Sequence, residues 1–132
     1  MIAGLSMHNG MLGKIGQLLG LNITVAKCDR VVLTFDVRPD LLQPYEIDQG
    51  GIYCAAIEAA ASLGADLWLG ERGRVVGVNN TTDFLHAVKS GTLSVTATPL
   101  LQEQLQQLWL VEVEDESDRS VARGQVRLQN LI

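Results

Sequence analysis

One segment constrains this chain more than any other. Residues 52–69 form its only long helical stretch, and Ala55, Ala56, Ala59, Ala60, Ala61 and Ala65 all lie within it. Alanine costs less than any other residue to hold helical, and its small side chain lets a neighbouring backbone come close. Such a helix is suited to the inside of a sheet that curves around it. The rest of the chain supplies the strands. Residues 23–26 and 31–37 are rich in β-branched side chains and are joined at Asp29-Arg30, which predicts a hairpin. Pro39 and Pro44 bracket an irregular stretch, 39–48. Beyond Gly73 the period changes, and 75–85, 92–99, 104–114 and 121–128 each read as strands. A shorter helix over 11–19, with Met11, Leu12, Ile15, Leu18 and Leu19 on one face and Gly20 as its stop, comes before them all.

The order helix, two strands, long helix, four strands predicts an α+β fold: one curved, mainly antiparallel sheet with the alanine-rich helix against its concave face. The 132 residues fit a single domain, with 1–20 as an N-terminal helical segment and 21–132 as the body. Alternation places Val76 and Val78 on one face of the third strand and Val75, Gly77 and Asn79 on the other. In the fifth strand Leu108, Leu110 and Glu112 oppose Trp109, Val111 and Val113. Apolar residues on both faces point to association between copies of the chain.

Charge narrows the partners. Ten Lys and Arg against fifteen Asp and Glu leave a formal net charge of −5, which offers neither a nucleic-acid footprint nor a polybasic membrane patch. The run Glu112, Glu114, Asp115, Glu116 and Asp118 reads as a solvated hairpin tip. Cys28 and Cys54 suggest reduced thiols in a cytoplasmic protein rather than a disulfide framework. No run of about 18 uninterrupted apolar residues is present to span a bilayer. Asp36, Asp40, His86 and Asp115 have no metal-ligand spacing, so no metal and no cofactor is expected.

Stepping by four along the long helix gives Gly50, Cys54, Glu58, Ser62 and Asp66, a small and polar stripe on an otherwise apolar element. Glu58 at its middle either points to water or faces an interface or cavity, where a carboxylate can serve as general base or nucleophile. Gly50 and Gly51 precede the first turn, where N–H groups lack helical partners and could face a carbonyl oxygen. A loop turn explains the pair equally well.

A family resemblance joins these pieces. Gln43-Pro44-Tyr45, then Gln49-Gly50-Gly51-Ile52-Tyr53-Cys54, Glu58 and Ser62, resembles the signature of hotdog-fold acyl-CoA thioesterases of the phenylacetate-pathway and menaquinone-pathway type. The stretches 75–84, 107–111 and 121–126 are similar to the central and last strands of that family. The resemblance implies a dimer or tetramer with active sites at the subunit interface. It implies that Glu58 activates water or attacks the thioester carbonyl, Gln49 and Gly51 polarise that carbonyl, and Gln43 and Ser62 hold the carboxylate or its water. It further implies that Gly50, Asn80, Thr81, Thr82, His86 and Lys89 contact substrate or coenzyme A. Gln49 stands where the family usually has histidine, and His86 where it commonly has arginine. The implied activity is hydrolysis of an aryl or medium-chain acyl-CoA to the free acid and coenzyme A. The alternative is a weakly active or non-catalytic hotdog protein that binds an acyl or other small ligand.

Overall fold

The computed structural model describes residues 12–45, 47 and 50–132. Met11 and Gln49, both singled out above, lie outside the described residues, as do positions 46 and 48 of the irregular stretch. Helix α1 (Gly13–Leu19) ends at Gly20, whose left-handed backbone (φ 72°) turns its N–H back onto the carbonyls of Gly16 and Gln17. Leu19 is buried, but Ile15 and Leu18 are exposed, so only part of the expected apolar face of α1 meets the core.

Strands β1 (Asn22–Lys27) and β2 (Arg30–Asp36) form the expected hairpin, closed by the pair Lys27↔Arg30. A short 3-10 turn, Pro39–Leu41, leads toward the long helix α2 (Gly50–Leu69). Strands β3 (Arg74–Phe84), β4 (Thr92–Gln102), β5 (Gln106–Glu114) and β6 (Ser120–Leu131) complete the chain. All strand pairs are antiparallel, in the spatial order β1-β2-β4-β5-β6-β3. This is the wrapped α+β arrangement expected from the order of elements. β4 runs past Pro99, where the expected strand ended, because a register shift between Pro99 and Leu101 lets the ladder resume beyond the missing N–H.

The core lies between α2 and the concave face of the sheet. Leu33, Phe35, Val95, Trp109, Val111 and Leu128 are buried there against Ala56, Ile57, Ala60 and Ala61. Small helix residues set this spacing. A Cβ on Gly64 would stand 2.4 Å from the Trp109 ring, so the indole is seated directly on helix backbone. Its Nε1–H donates to Gln107 Oε1 (3.0 Å), and Gln107 Nε2 donates to the Ala65 carbonyl and to Asn130 Oδ1 (both 3.0 Å). This wholly buried amide therefore ties sheet to helix, with its polar atoms satisfied as burial requires. At the C-terminus of α2, Arg72 lies over the Trp68 ring at 4.5 Å and donates to the carbonyls of Trp68 and Leu69. By length and composition Gly50–Arg72 is apolar enough to cross a bilayer, but here it is the core helix.

The outer face is less apolar than alternation in β3 and β5 suggests. Leu108 and Leu110 stand beside Arg127 and Gln125 of β6, whose outward positions from Arg123 to Gln129 are polar. The faces of β3 also need correction. Gly77 pairs with Leu128 and Asn79 with Arg127, leaving Val78 as an extra residue in the ladder. Beyond this bulge the parity of the strand inverts. Val75 and Gly77 share a face as expected, the inward one, but Asn79 does not join them and faces out, and Asn80 and Thr82 take the inward positions opposite buried Val126 and Gly124.

Candidate active site

α2 and β3 meet along one flank of the helix, in two contacts and then an open groove. Near the start of α2, Asn80 Nδ2 donates to the Cys54 carbonyl at 3.0 Å. In a helix that carbonyl also accepts the N–H of Glu58, so Asn80 grips the turn that carries the carboxylate. The Thr82 hydroxyl donates to Asn80 Oδ1 at 2.7 Å and fixes the amide's orientation. One turn along, the Glu58 carboxylate lies over Gly77. A Cβ at that glycine would be 3.3 Å from both Cδ and Oε2 of the carboxylate. Further on, Leu63 and Asp66 of α2 face the same open groove as Arg74 and Val75 of β3.

That groove has a volume of about 920 Å³, and Cys54, Glu58, Ser62 and Asp66 of the polar stripe all line it. Ala55, Ala59, Leu63 and Val75 give it apolar walls, and Leu12 and Ile15 reach it from the α1 region. Glu58 is exposed and lines this open groove, so its carboxylate meets both water and the groove. An exposed carboxylate beside apolar walls can take a proton from water next to a bound apolar ligand.

A second, smaller cavity of about 250 Å³ lies at the N-terminus of α2, lined by Gln43, Gly50, Tyr53, Phe84 and His86 among others. The Phe84 ring covers Gly50, where a Cβ would be 2.5 Å from the ring, so the glycine is needed for packing. Gln43 Oε1 accepts the Tyr45 N–H at 2.5 Å, closing the loop before α2. His86 Nδ1 stands 2.7 Å from the Ser120 carbonyl. A carbonyl only accepts, so Nδ1 is the donor and the ring presents Nε2.

The structure thus gathers Glu58, Ser62 and Asn80 around one groove and Gln43, Gly50 and His86 around another. Gly51 is exposed with nothing within 4 Å of its Cβ position, and lines neither. Thr81 faces the outer side, its hydroxyl donating to Asn79 Oδ1, and Lys89 is exposed away from both grooves. Among the described residues no three His, Cys, Asp or Glu side chains gather as a metal site. Sequence reasoning missed Gly77 and Arg74. A glycine within a strand is a signal of close approach, and it was available at position 77.

The family model of the thioesterase superfamily matches residues 50–122, from the first residue of α2 into β6. The chain belongs to the thioesterase superfamily. A Mycobacterium tuberculosis protein named "Putative esterase" is 53% identical over 116 residues, covering 86% of this chain and 83% of that protein. Its solved structure superposes with a TM-score of 0.86 over 88% of this chain and 94% of that one, at 51% identity. A Haemophilus influenzae thioesterase structure gives a TM-score of 0.90 at 26% identity, covering 96% of this chain and 90% of that one. A Listeria monocytogenes relative, 1,4-dihydroxy-2-naphthoyl-CoA hydrolase, is 23% identical over 103 residues, covering 78% of this chain and 84% of that protein. The hotdog fold of this thioesterase-superfamily chain is therefore the one its resemblance implied, with α2 as the central helix.

Proposed function

We propose that the chain hydrolyses an aryl or medium-chain acyl-CoA thioester to the free acid and coenzyme A, with Glu58 as general base or nucleophile. The observation that carries this reading is the Glu58 carboxylate, seated over Gly77 and open to a groove with apolar walls. As base, Glu58 takes a proton from water while the water oxygen attacks the thioester carbonyl. Collapse of the tetrahedral adduct breaks the C–S bond, and the departing thiolate takes up a proton. As nucleophile, the carboxylate forms a mixed anhydride that water then opens. Ser62, one turn along the same groove, would hold the attacking water. The Listeria relative's named substrate, a two-ring aroyl thioester, supports an aryl acyl group.

The oxyanion donors would come from a second copy. Gly51 precedes Glu58 by seven residues, about 10 Å along the helix axis, so one helix does not readily offer both groups to one carbonyl. We therefore assign the Gly51 N–H and Gln49 of one subunit to the carbonyl that Glu58 of another attacks, in a dimer or tetramer. The long β3 edge is the strand through which copies would meet. Both cysteines are free thiols, which suits the cytoplasmic setting we assign.

The test is thiol release from a panel of aryl, medium-chain and long-chain acyl-CoAs. Glu58→Ala is expected to lower kcat by about 10²-fold or more, with no fall in Tm because the side chain is exposed. Turnover that survives unchanged in Glu58→Ala removes the carboxylate mechanism. A folded wild type that turns over none of the panel returns the chain to the ligand-binding alternative that Gln49 also permits.

A further inference from the structure

The groove beside Glu58 is apolar along its walls and charged at its far end. Asp66 lies two turns beyond Glu58, about 12 Å along α2. Arg74 lies three residues from Gly77, about 10 Å along β3. The helix and the strand run in opposite directions here, so the two charged residues arrive at the same level of the groove, and both line it. Between them and Glu58 the walls are Ala59, Leu63 and Val75. The ion pairs among the described residues are Arg38–Asp40 and Arg119–Asp115, so Asp66 and Arg74 join neither each other nor another described side chain in one.

We propose that Asp66 and Arg74 are specificity-determining residues that read a hydroxyl group at the far end of the acyl chain or aryl ring. This rests on the reading that the groove holds the acyl group of a thioester whose carbonyl sits at Glu58. An extended eight-carbon chain or a two-ring aryl group is of the right length to reach them. The chemistry of the pair selects the end group. An alkyl terminus would strip water from two charges and give nothing back. A terminal carboxylate suits Arg74 and is repelled by Asp66, and a terminal ammonium has the opposite fault. A carbonyl accepts from Arg74 but leaves Asp66 without a donor. A neutral hydroxyl donates to the carboxylate and accepts from the guanidinium at once, through a single small atom, where a carboxamide would need the room of two.

The test uses two matched pairs of acyl-CoAs, octanoyl with 8-hydroxyoctanoyl and 2-naphthoyl with 6-hydroxy-2-naphthoyl. Each is supplied as the thioester for kcat/KM and as a non-hydrolysable thioether for Kd by calorimetry. Wild type is expected to favour the hydroxylated member of at least one pair by about tenfold or more, the worth of a hydrogen bond to a charged group that is only partly desolvated. Asp66→Leu with Arg74→Met is expected to bring that ratio close to one. The ratio is taken within one preparation, so partial misfolding cancels. Equal values for both members of both pairs in wild type overturn the proposal, as does a preference that survives in the double variant. Failure to bind any of the four thioethers also overturns it. Hydroxyl-selective thioether binding without turnover would uphold it while refuting the hydrolase reading. If light scattering shows that the double variant dissociates with its selectivity intact, the charges belong to a contact between copies and the proposal falls.

Discussion

Replacing Gly77 by alanine puts one methyl group under the carboxylate of Glu58. The added carbon would stand 3.3 Å from Cδ and Oε2, against an ordinary contact distance of about 3.5–4.0 Å. The carboxylate must then move by a few tenths of an ångström. The backbone at Gly77 is not among the positive-φ glycines, so alanine itself is accommodated without strain. Reducing the freedom of the unfolded chain should even add about 0.4–1 kcal/mol of stability. A displacement of about 1 Å in a reacting group can lower rate by about 10²-fold. Scaled to the shift expected here, that is about four- to tenfold in kcat. Thiol release at saturating substrate, run beside thermal unfolding, should show the rate falling while Tm holds or rises. The loss should also vanish in a Glu58→Ala background, because the methyl acts through the carboxylate. An undiminished kcat, or an equal proportional loss without Glu58, would refute the reasoning.

Three further outcomes follow from the fold. Gly64→Ala drives a methyl into the buried Trp109 ring, 2.4 Å away, and should cost about 1–3 kcal/mol in urea unfolding. Gln107→Leu strips Trp109 Nε1 and Asn130 Oδ1 of their contacts with this amide, and should cost about 2–5 kcal/mol with a changed tryptophan emission. At the β5–β6 turn the Asp115 carboxyl is held below its usual range, chiefly by the Arg119 backbone N–H and further by the Ser117 N–H and the Arg119 guanidinium. A lowered value in the folded state means that the stabilisation is present above about pH 4 and lost as pH falls through Asp115's own value. A carboxyl-carbon titration by NMR should place its midpoint below about 3.9, and a midpoint at or above that value would contradict the assignment.

The architecture was legible because each element declares itself locally. Alanine content and the Gly50-Gly51 pair mark α2 to within two residues at its start, and β-branched runs mark the hairpin. Glu58 and Ser62 were legible from the four-residue step, which places them on one side of any helix. What escaped depends on register. Nothing in Val75-Val76-Gly77-Val78-Asn79 announces that one residue will be left out of the ladder, and a strict period of two therefore turns Asn79 inward where the structure has Asn80. Arg74 escaped for a related reason. It comes to line the same groove as Asp66 only when β3 lies against α2 in opposite direction, a relation between elements that no local pattern encodes.

The extra residue in β3 also bears on how such a chain could change over generations. Deleting Val78 would let the β3–β6 ladder pair without interruption, so the sheet could persist. Asn79 to Phe84 would keep the β6 partners and the faces they now have, with Asn80 still at the Cys54 carbonyl and the Phe84 ring still over Gly50, and only the local kink of the bulge would be lost. A single codon lost at this point would therefore pass fold and site on together, which makes the bulge a place where the chain can shorten without turning the residues of the groove to the other face.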